Sequence, residues 1–122
     1  MAWKYGGVAT YDVEAKLMRQ QRRKGTWHPL LLKLMQFAIA NPKLARKLVK
    51  GHPEVLDLRT GLGETALHYL AVENEADAVQ LLIDLGAEVN VKNNFSKSAL
   101  EEALQVEAKE TVEVLRRAGA GE

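Results

Sequence analysis

Cysteine is absent from the 122 residues of the chain. That removes disulfide scaffolds, Cys-ligated zinc and Cys nucleophiles together. Long apolar runs are lacking as well. The longest, Pro29 to Ala40, is broken by Lys33 and Gln36 and falls short of the ~20 residues a membrane span needs. The N-terminus MAWKYGG has a Lys but no apolar stretch behind it and no small-residue cleavage site, so no secretory signal is expected. These absences point to a soluble, cytoplasmic protein. What is present is enough for a core: 47% of the residues are hydrophobic and 27% charged, which excludes wholesale disorder. The length fits one compact domain or a short array of repeats.

Catalytic groupings are missing too. The three His, at 28, 52 and 68, lack the local spacing of a metal site. The string GLGET is Gly-rich, but no G-x-x-G or GK[ST] follows it and no strand of a βαβ unit precedes it, which excludes a phosphate cradle. Glu101 and Glu102 are adjacent and so point in different directions on a helix, unlike a dyad sharing a proton. The expectation is therefore no enzyme, no cofactor, no metal and no small-molecule substrate.

The net charge of +1 hides an asymmetry. Residues 1 to 59 carry twelve Lys and Arg against four Asp and Glu, and residues 60 to 122 carry five against twelve. Either the two ends meet different partners or each other, or charge follows the exposed helix faces. The densest basic run spans Lys16, Arg19, Arg22, Arg23 and Lys24, with Trp3, Tyr5, Tyr11 and Trp27 nearby. It could contact phosphates of nucleic acid or of an anionic membrane. The competing reading is a solvated helix face, since a dedicated nucleic-acid domain carries more charge than a chain of pI 8.0.

The chain repeats itself. Thr65-Ala66-Leu67 recurs as Ser98-Ala99-Leu100, Leu81-Leu82 as Val114-Leu115, and Gly86-Ala87 as Gly119-Ala120, all 33 residues apart. The same step backward puts Leu67 on Leu34, Leu70 on Phe37, Leu81 on Leu48 and Leu82 on Val49. Three units thus fit in register, beginning at Trp27, Thr60 and Asn93. Within a unit, Ala66, Leu67, Leu70 and Ala71 mark one face of a short helix, and Ala78, Val79, Leu82 and Ile83 mark a second. Asn74 supplies the turn between them, and Gly86 ends the second helix at a left-handed cap. The third unit copies this with Ala99, Leu100, Ala103, Leu104, then Val112 and Leu115, ended by Gly119. Helices of about ten residues do not stand alone in water, so each pair must stack on its neighbours.

Residues 60 to 92, TGLGETALHYLAVENEADAVQLLIDLGAEVNVK, resemble an ankyrin repeat: G-x-T-P-L-H opening the first helix, a V-x-L-L stripe on the second, then G-A-x-V-N leading to the next hairpin. The resemblance is strongest there, good over 93 to 120 and degenerate over 27 to 59. It implies an all-α solenoid of stacked helix pairs, and a hydrogen bond between Thr65 and His68 across the turn. Ala66 stands where the family usually has Pro, and Ser96 replaces a turn Gly. At Ser96 either Asn94 relieves the left-handed position or the hairpin is altered, at a cost near ~1 kcal/mol. Glu101, Glu102, Glu110, Glu113, Arg116 and Arg117 make the third unit polar, as a terminal cap requires, and the array is expected to end there.

The other end lacks such a cap. Unit one, with Leu30, Leu31, Leu32, Leu34, Met35, Phe37 and Ile39, is more apolar than one helix face can bury. Tyr11 to Lys24 can be drawn as a covering helix with Asp12 as N-cap, or left as a mobile tail. The expected layout is a flexible 1–10, a basic helix or cap over 11–26, and units over 27–59, 60–92 and 93–122.

The resemblance further implies a concave face built from hairpin tips and the exposed sides of the first helices. Position by position, that face is Arg59, Leu62, Glu64, Val72 and Glu73 from the second unit, and Lys92, Asn94, Phe95, Lys97, Gln105 and Val106 from the third. Leu62 and Phe95, 33 apart, are expected as an exposed apolar pair for a protein partner, with Phe95 folding back over the next hairpin as the alternative. The function expected is non-enzymatic: a module that occupies another protein's surface as adaptor, scaffold or inhibitor. Neutralising a co-expressed toxic or reactive protein is one form of that role. Electrostatic binding of nucleic acid or anionic lipid through the basic N-terminal segment is the alternative.

Overall fold

The computed structural model describes residues 28–121, and the expected elements over 1–26, with Lys16, Arg19, Arg22, Arg23 and Lys24, lie outside them. The described residues form six α-helices and one 3-10 turn, in the order α1 Pro29–Ala40, α2 Pro42–Gly51, the 3-10 turn Pro53–Asp57, α3 Ala66–Val72, α4 Ala76–Asp84, α5 Ala99–Gln105 and α6 Lys109–Arg117. No strand occurs among them. The seven-residue α3 and α5 are shorter than the ten or so expected.

Local chemistry explains where four of the helices start. Pro29 and Pro42 open α1 and α2, where a missing N–H is harmless. His28 Nδ1 accepts from the Leu30 N–H at 3.1 Å, and Asn41 Oδ1 from the Leu44 N–H at 3.3 Å. Thr65 with His68, and Ser98 with Glu101, form reciprocal capping boxes on α3 and α5. Pro42 also stops α1, because the residue before a proline is pushed out of the helical region, and Asn41 has φ −151°.

Four helix ends share one device. Asn74, Gly86, Glu107 and Gly119 take φ of 57°, 105°, 58° and 89°. At each, the following N–H reaches back to the helix, as in Glu75 N to Leu70 O at 3.0 Å and Ala87 N to Leu82 O at 2.9 Å. These are Schellman closures, which satisfy carbonyls the helix leaves open. Unit one departs from the pattern. Position 53, in register with Gly86 and Gly119, is Pro, whose ring forbids positive φ, and the chain continues there as the 3-10 turn.

The core is one cluster running the length of the array. Leu34, Leu67 and Leu100, in register, are 0 to 2% exposed. Val49, Leu82 and Leu115 repeat this on the second helices. α1 packs on α2, α3 and α4, α3 on α4 and α5, and α6 on α4 and α5. Ala38, Ala45, Ala71 and Ala78 are buried, and their small side chains let the helices approach closely. Polar groups also join the units: Thr111 Oγ1 lies 2.9 Å from Ala71 O, and the Thr111 N–H donates to Asn74 Oδ1 at 3.1 Å.

Position 96 follows neither expected course, relief by Asn94 or an altered hairpin. Ser96 itself takes the left-handed conformation, φ 60°, in register with Gly63 at 77°. Gly63 is needed twice over, because a Cβ there would strike the Asn94 side chain and stand 3.0 Å from its backbone N. At Ser96 only the backbone preference opposes a side chain. Ser96→Gly is therefore expected to stabilise the fold by about 0.5 kcal/mol, the relief of left-handed strain less the added chain entropy of glycine. Urea denaturation of the two proteins measures it, and a less stable variant would contradict this balance.

Candidate protein interface

Each hairpin tip is organised by one short polar side chain at its base. Thr60 Oγ1 accepts from the N–H groups of Leu62 and Glu64 at 3.2 and 3.4 Å. In the third unit Asn93 Oδ1 does the same for Phe95 and Lys97 at 2.9 and 3.1 Å. Such side-chain turns hold a loop without strand pairing. Asn93 goes further, since its amide Nδ2 donates to Glu64 Oε2 at 3.0 Å and Glu102 Oε2 at 3.2 Å.

The tips dock side by side. Asn94 N donates to Leu62 O at 2.9 Å, Asn94 Nδ2 to Gly61 O at 3.1 Å, and Arg59 Nη1 to Lys92 O at 3.2 Å. Beneath them His68 Nε2 lies 3.1 Å from Lys97 O while Nδ1 accepts from the Thr65 N–H at 3.2 Å. Those partners assign the proton to Nε2. The Thr65–His68 bond implied by the family is present, with Thr65 Oγ1 and Nδ1 3.1 Å apart.

Burial holds the His68 pKa below its ordinary value of 6.5, against the opposing hydrogen bond to Lys97 and the charge of Glu64. A second proton would also sit on Nδ1, where the Thr65 N–H already points. The sign follows: below pH ~6.5 the unfolded chain takes up a proton the folded chain resists, so stability falls as pH drops through that value. The melting temperature is expected to decline between pH 7 and 5, and His68→Asn should flatten the decline. An unchanged slope in the variant would place the titrating group elsewhere.

The expected interface residues fall into two groups, with two corrections. Arg59, Lys92, Asn94 and Phe95 are exposed at the tips, Phe95 at 62%. Val72 and Glu73 are half-buried at the end of α3, and Gln105 and Val106 are exposed at the matching end of α5. Lys97 is half-buried. Glu64, expected as an exposed charge, is instead 8% exposed and held by Asn93. Leu62 is half-buried because the next hairpin docks on its carbonyl, so Phe95 stands out without the apolar twin expected beside it.

Asn93 and Thr60 are organisers that the sequence alone did not single out. Their signal was available: Thr60 and Asn93 are polar residues of the same hydrogen-bonding kind in register at the start of two units.

The profile for ankyrin repeats in three copies matches residues 34–121. The chain belongs to the ankyrin-repeat family. Ankyrin repeats are in general non-enzymatic interaction modules. Among solved structures, a chain in the complex of the Bd0816 predatory endopeptidase from Bdellovibrio bacteriovorus with the immunity protein Bd3460 is similar, with a TM-score of 0.66 and 21% identity. The match covers 89% of this chain and 62% of that one, so this ankyrin-repeat chain spans less than two thirds of its length. At that identity the likeness is one of fold. Among the described residues no cluster of His, Cys, Asp or Glu could hold a metal ion, and no helix is long and apolar enough to cross a membrane.

Proposed function

We propose that this ankyrin-repeat chain acts by occupancy, not chemistry, binding a protein partner through its hairpin tips and the C-terminal ends of α3 and α5. The observation that carries this is Phe95. It is an aromatic side chain, 62% exposed, on a tip fixed from its base by Asn93. Holding it out adds nothing to the core, whereas burial against a partner gains about 25 cal/mol per Å² of apolar area. The loop is already ordered, so little conformational entropy remains to be lost on binding. Arg59, Lys92 and Lys97 lie on the same pair of hairpins and set approach rate and salt dependence.

An inhibitor that neutralises a hazardous protein is the specific form we favour among adaptor, scaffold and inhibitor. Its support is the likeness in fold to a chain from a complex of an endopeptidase with an immunity protein. The experiment is cross-linked capture from the native lysate, followed by calorimetric titration of the captured protein against wild type and Phe95→Ala. Truncation should lose at least ~2 kcal/mol, about thirtyfold in Kd. Equal affinities would move the interface away from the tips. Capture of nucleic acid or anionic lipid instead of a protein, lost as salt rises, would favour phosphate contacts by the basic N-terminal residues.

A further inference from the structure

The outer side of the third unit is not the uniformly polar cap that its sequence suggests. Leu104 of α5 is 37% exposed there, and with Val112 it floors a groove of about 520 Å³. The walls are charged: Glu107, Lys109, Glu113, Arg116 and Arg117. Lys109, Val112, Glu113 and Arg116 are spaced i, i+3, i+4 and i+7, one face of α6. The 33-residue register identifies this surface. Its counterparts one unit back, Ala71 and Val79, are fully buried where α3 and α4 receive the third unit.

A further repeat is a poor occupant. Lys109 and Arg116 stand where the second unit has Ala76 and Ile83, both half-buried against apolar neighbours, so a stacked repeat would draw both charges part-way out of water. The order of charges along the groove favours something else. From Glu107 it runs negative, positive at Lys109, negative at Glu113, positive at Arg116 and Arg117. Read backward, that order is inverted in sign at every place. Two copies laid antiparallel about a two-fold axis near the start of Val112 therefore set Lys109 against Glu113 of the other copy, and Glu107 against Arg116. A parallel arrangement would set like against like. The axis passes beside Val112, so the same patch faces itself across it, as an isologous interface requires.

We propose that the chain pairs with a second copy of itself through the outer face of α6, as a reversible homodimer whose two tip surfaces stay free. Sedimentation velocity of the full chain, from low micromolar to several hundred micromolar, tests it. Wild type should associate, more weakly as salt rises. Lys109→Glu and Glu113→Lys should each weaken association at least ~tenfold, because each sets like charges opposite one another twice per dimer. Both side chains are exposed, and matching thermal melts will show the fold unchanged. The decisive arm mixes the two variants: neither pairs with itself, yet each complements the other, so a heterodimer should form with affinity near that of wild type. A wild type that stays monomeric throughout, or variants that associate like wild type alone, would overturn the proposal and leave the groove to a different protein.

Discussion

Replacing Leu82 by Ala is expected to lower the free energy of unfolding by about 2 to 5 kcal/mol. Leu82 is 0% exposed on α4, a helix packed on α1, α3 and α6 and so against both neighbouring units. The cost has two parts, the lost transfer of three buried side-chain carbons and the cavity that neighbours fill only partly. Against a total of about 5 to 15 kcal/mol for a domain this size, the change is severe. Each ~1 kcal/mol moves the melting temperature of a short domain by about 4 to 8 °C, so a fall of ten degrees or more is expected by circular dichroism. Leu115, in register and also fully buried, has a neighbouring unit on one side only among the described residues. In a stack whose stability is a sum over units and interfaces, Leu115→Ala should cost less than Leu82→Ala. Identical melting curves for Leu82→Ala and wild type would contradict the packing described.

That contrast shows which parts of the fold were legible in sequence. Period and core position were legible because burial demands the same apolar residue in every unit, and Leu34, Leu67 and Leu100 repeat almost without variation. Gly86 and Gly119 were legible because a left-handed helix cap has a strong residue preference. Glu107 was not, and at Ser96 the left-handed position was legible but not that serine would adopt it, since both positive φ values are imposed by the surrounding closures and turns. The first unit was legible only as far as its apolar residues. Pro53 in place of a cap glycine redirects the chain into a 3-10 turn that the second unit lacks.

The candidate site was less legible, for a physical reason. Mapping by register located Phe95, Lys92 and Val106 correctly as exposed, but it assigned Glu64 to solvent because a carboxylate is usually a surface residue. Its burial depends on Asn93, 29 residues away in the next unit. Hydrogen bonds between units are set by which polar side chains happen to face one another across a hairpin, and the repeat pattern does not encode them. Thr60, the counterpart of Asn93, builds the same turn yet has no amide with which to reach a carboxylate.

Asn93 is consequently where stability and binding meet, and Asn93→Ala is expected to damage both. The amide makes four hydrogen bonds, two to carboxylates and two from the tip N–H groups of Phe95 and Lys97, and it is 6% exposed. Bonds to charged groups contribute about 1.5 to 3 kcal/mol, and a buried carboxylate losing its donor bears a desolvation penalty on top. A loss of about 3 kcal/mol in urea denaturation is the expected result. Freed from its anchor, the tip should also sample conformations that carry Phe95 away from its bound position, so partner affinity falls even under conditions where the protein is fully folded. Asn93→Asp separates the two roles. It keeps the acceptor for the tip N–H groups but sets a new carboxylate against Glu64 and Glu102. Mutual repulsion raises the proton affinity of that cluster in the folded state, so the deficit in stability should be largest at neutral pH and shrink as pH falls and a proton is taken up. Partner affinity, which depends on the tip alone, should stay closer to wild type in Asn93→Asp than in Asn93→Ala. If both variants lost affinity equally while remaining folded, the carboxylate link and not the turn would be what holds Phe95 in place.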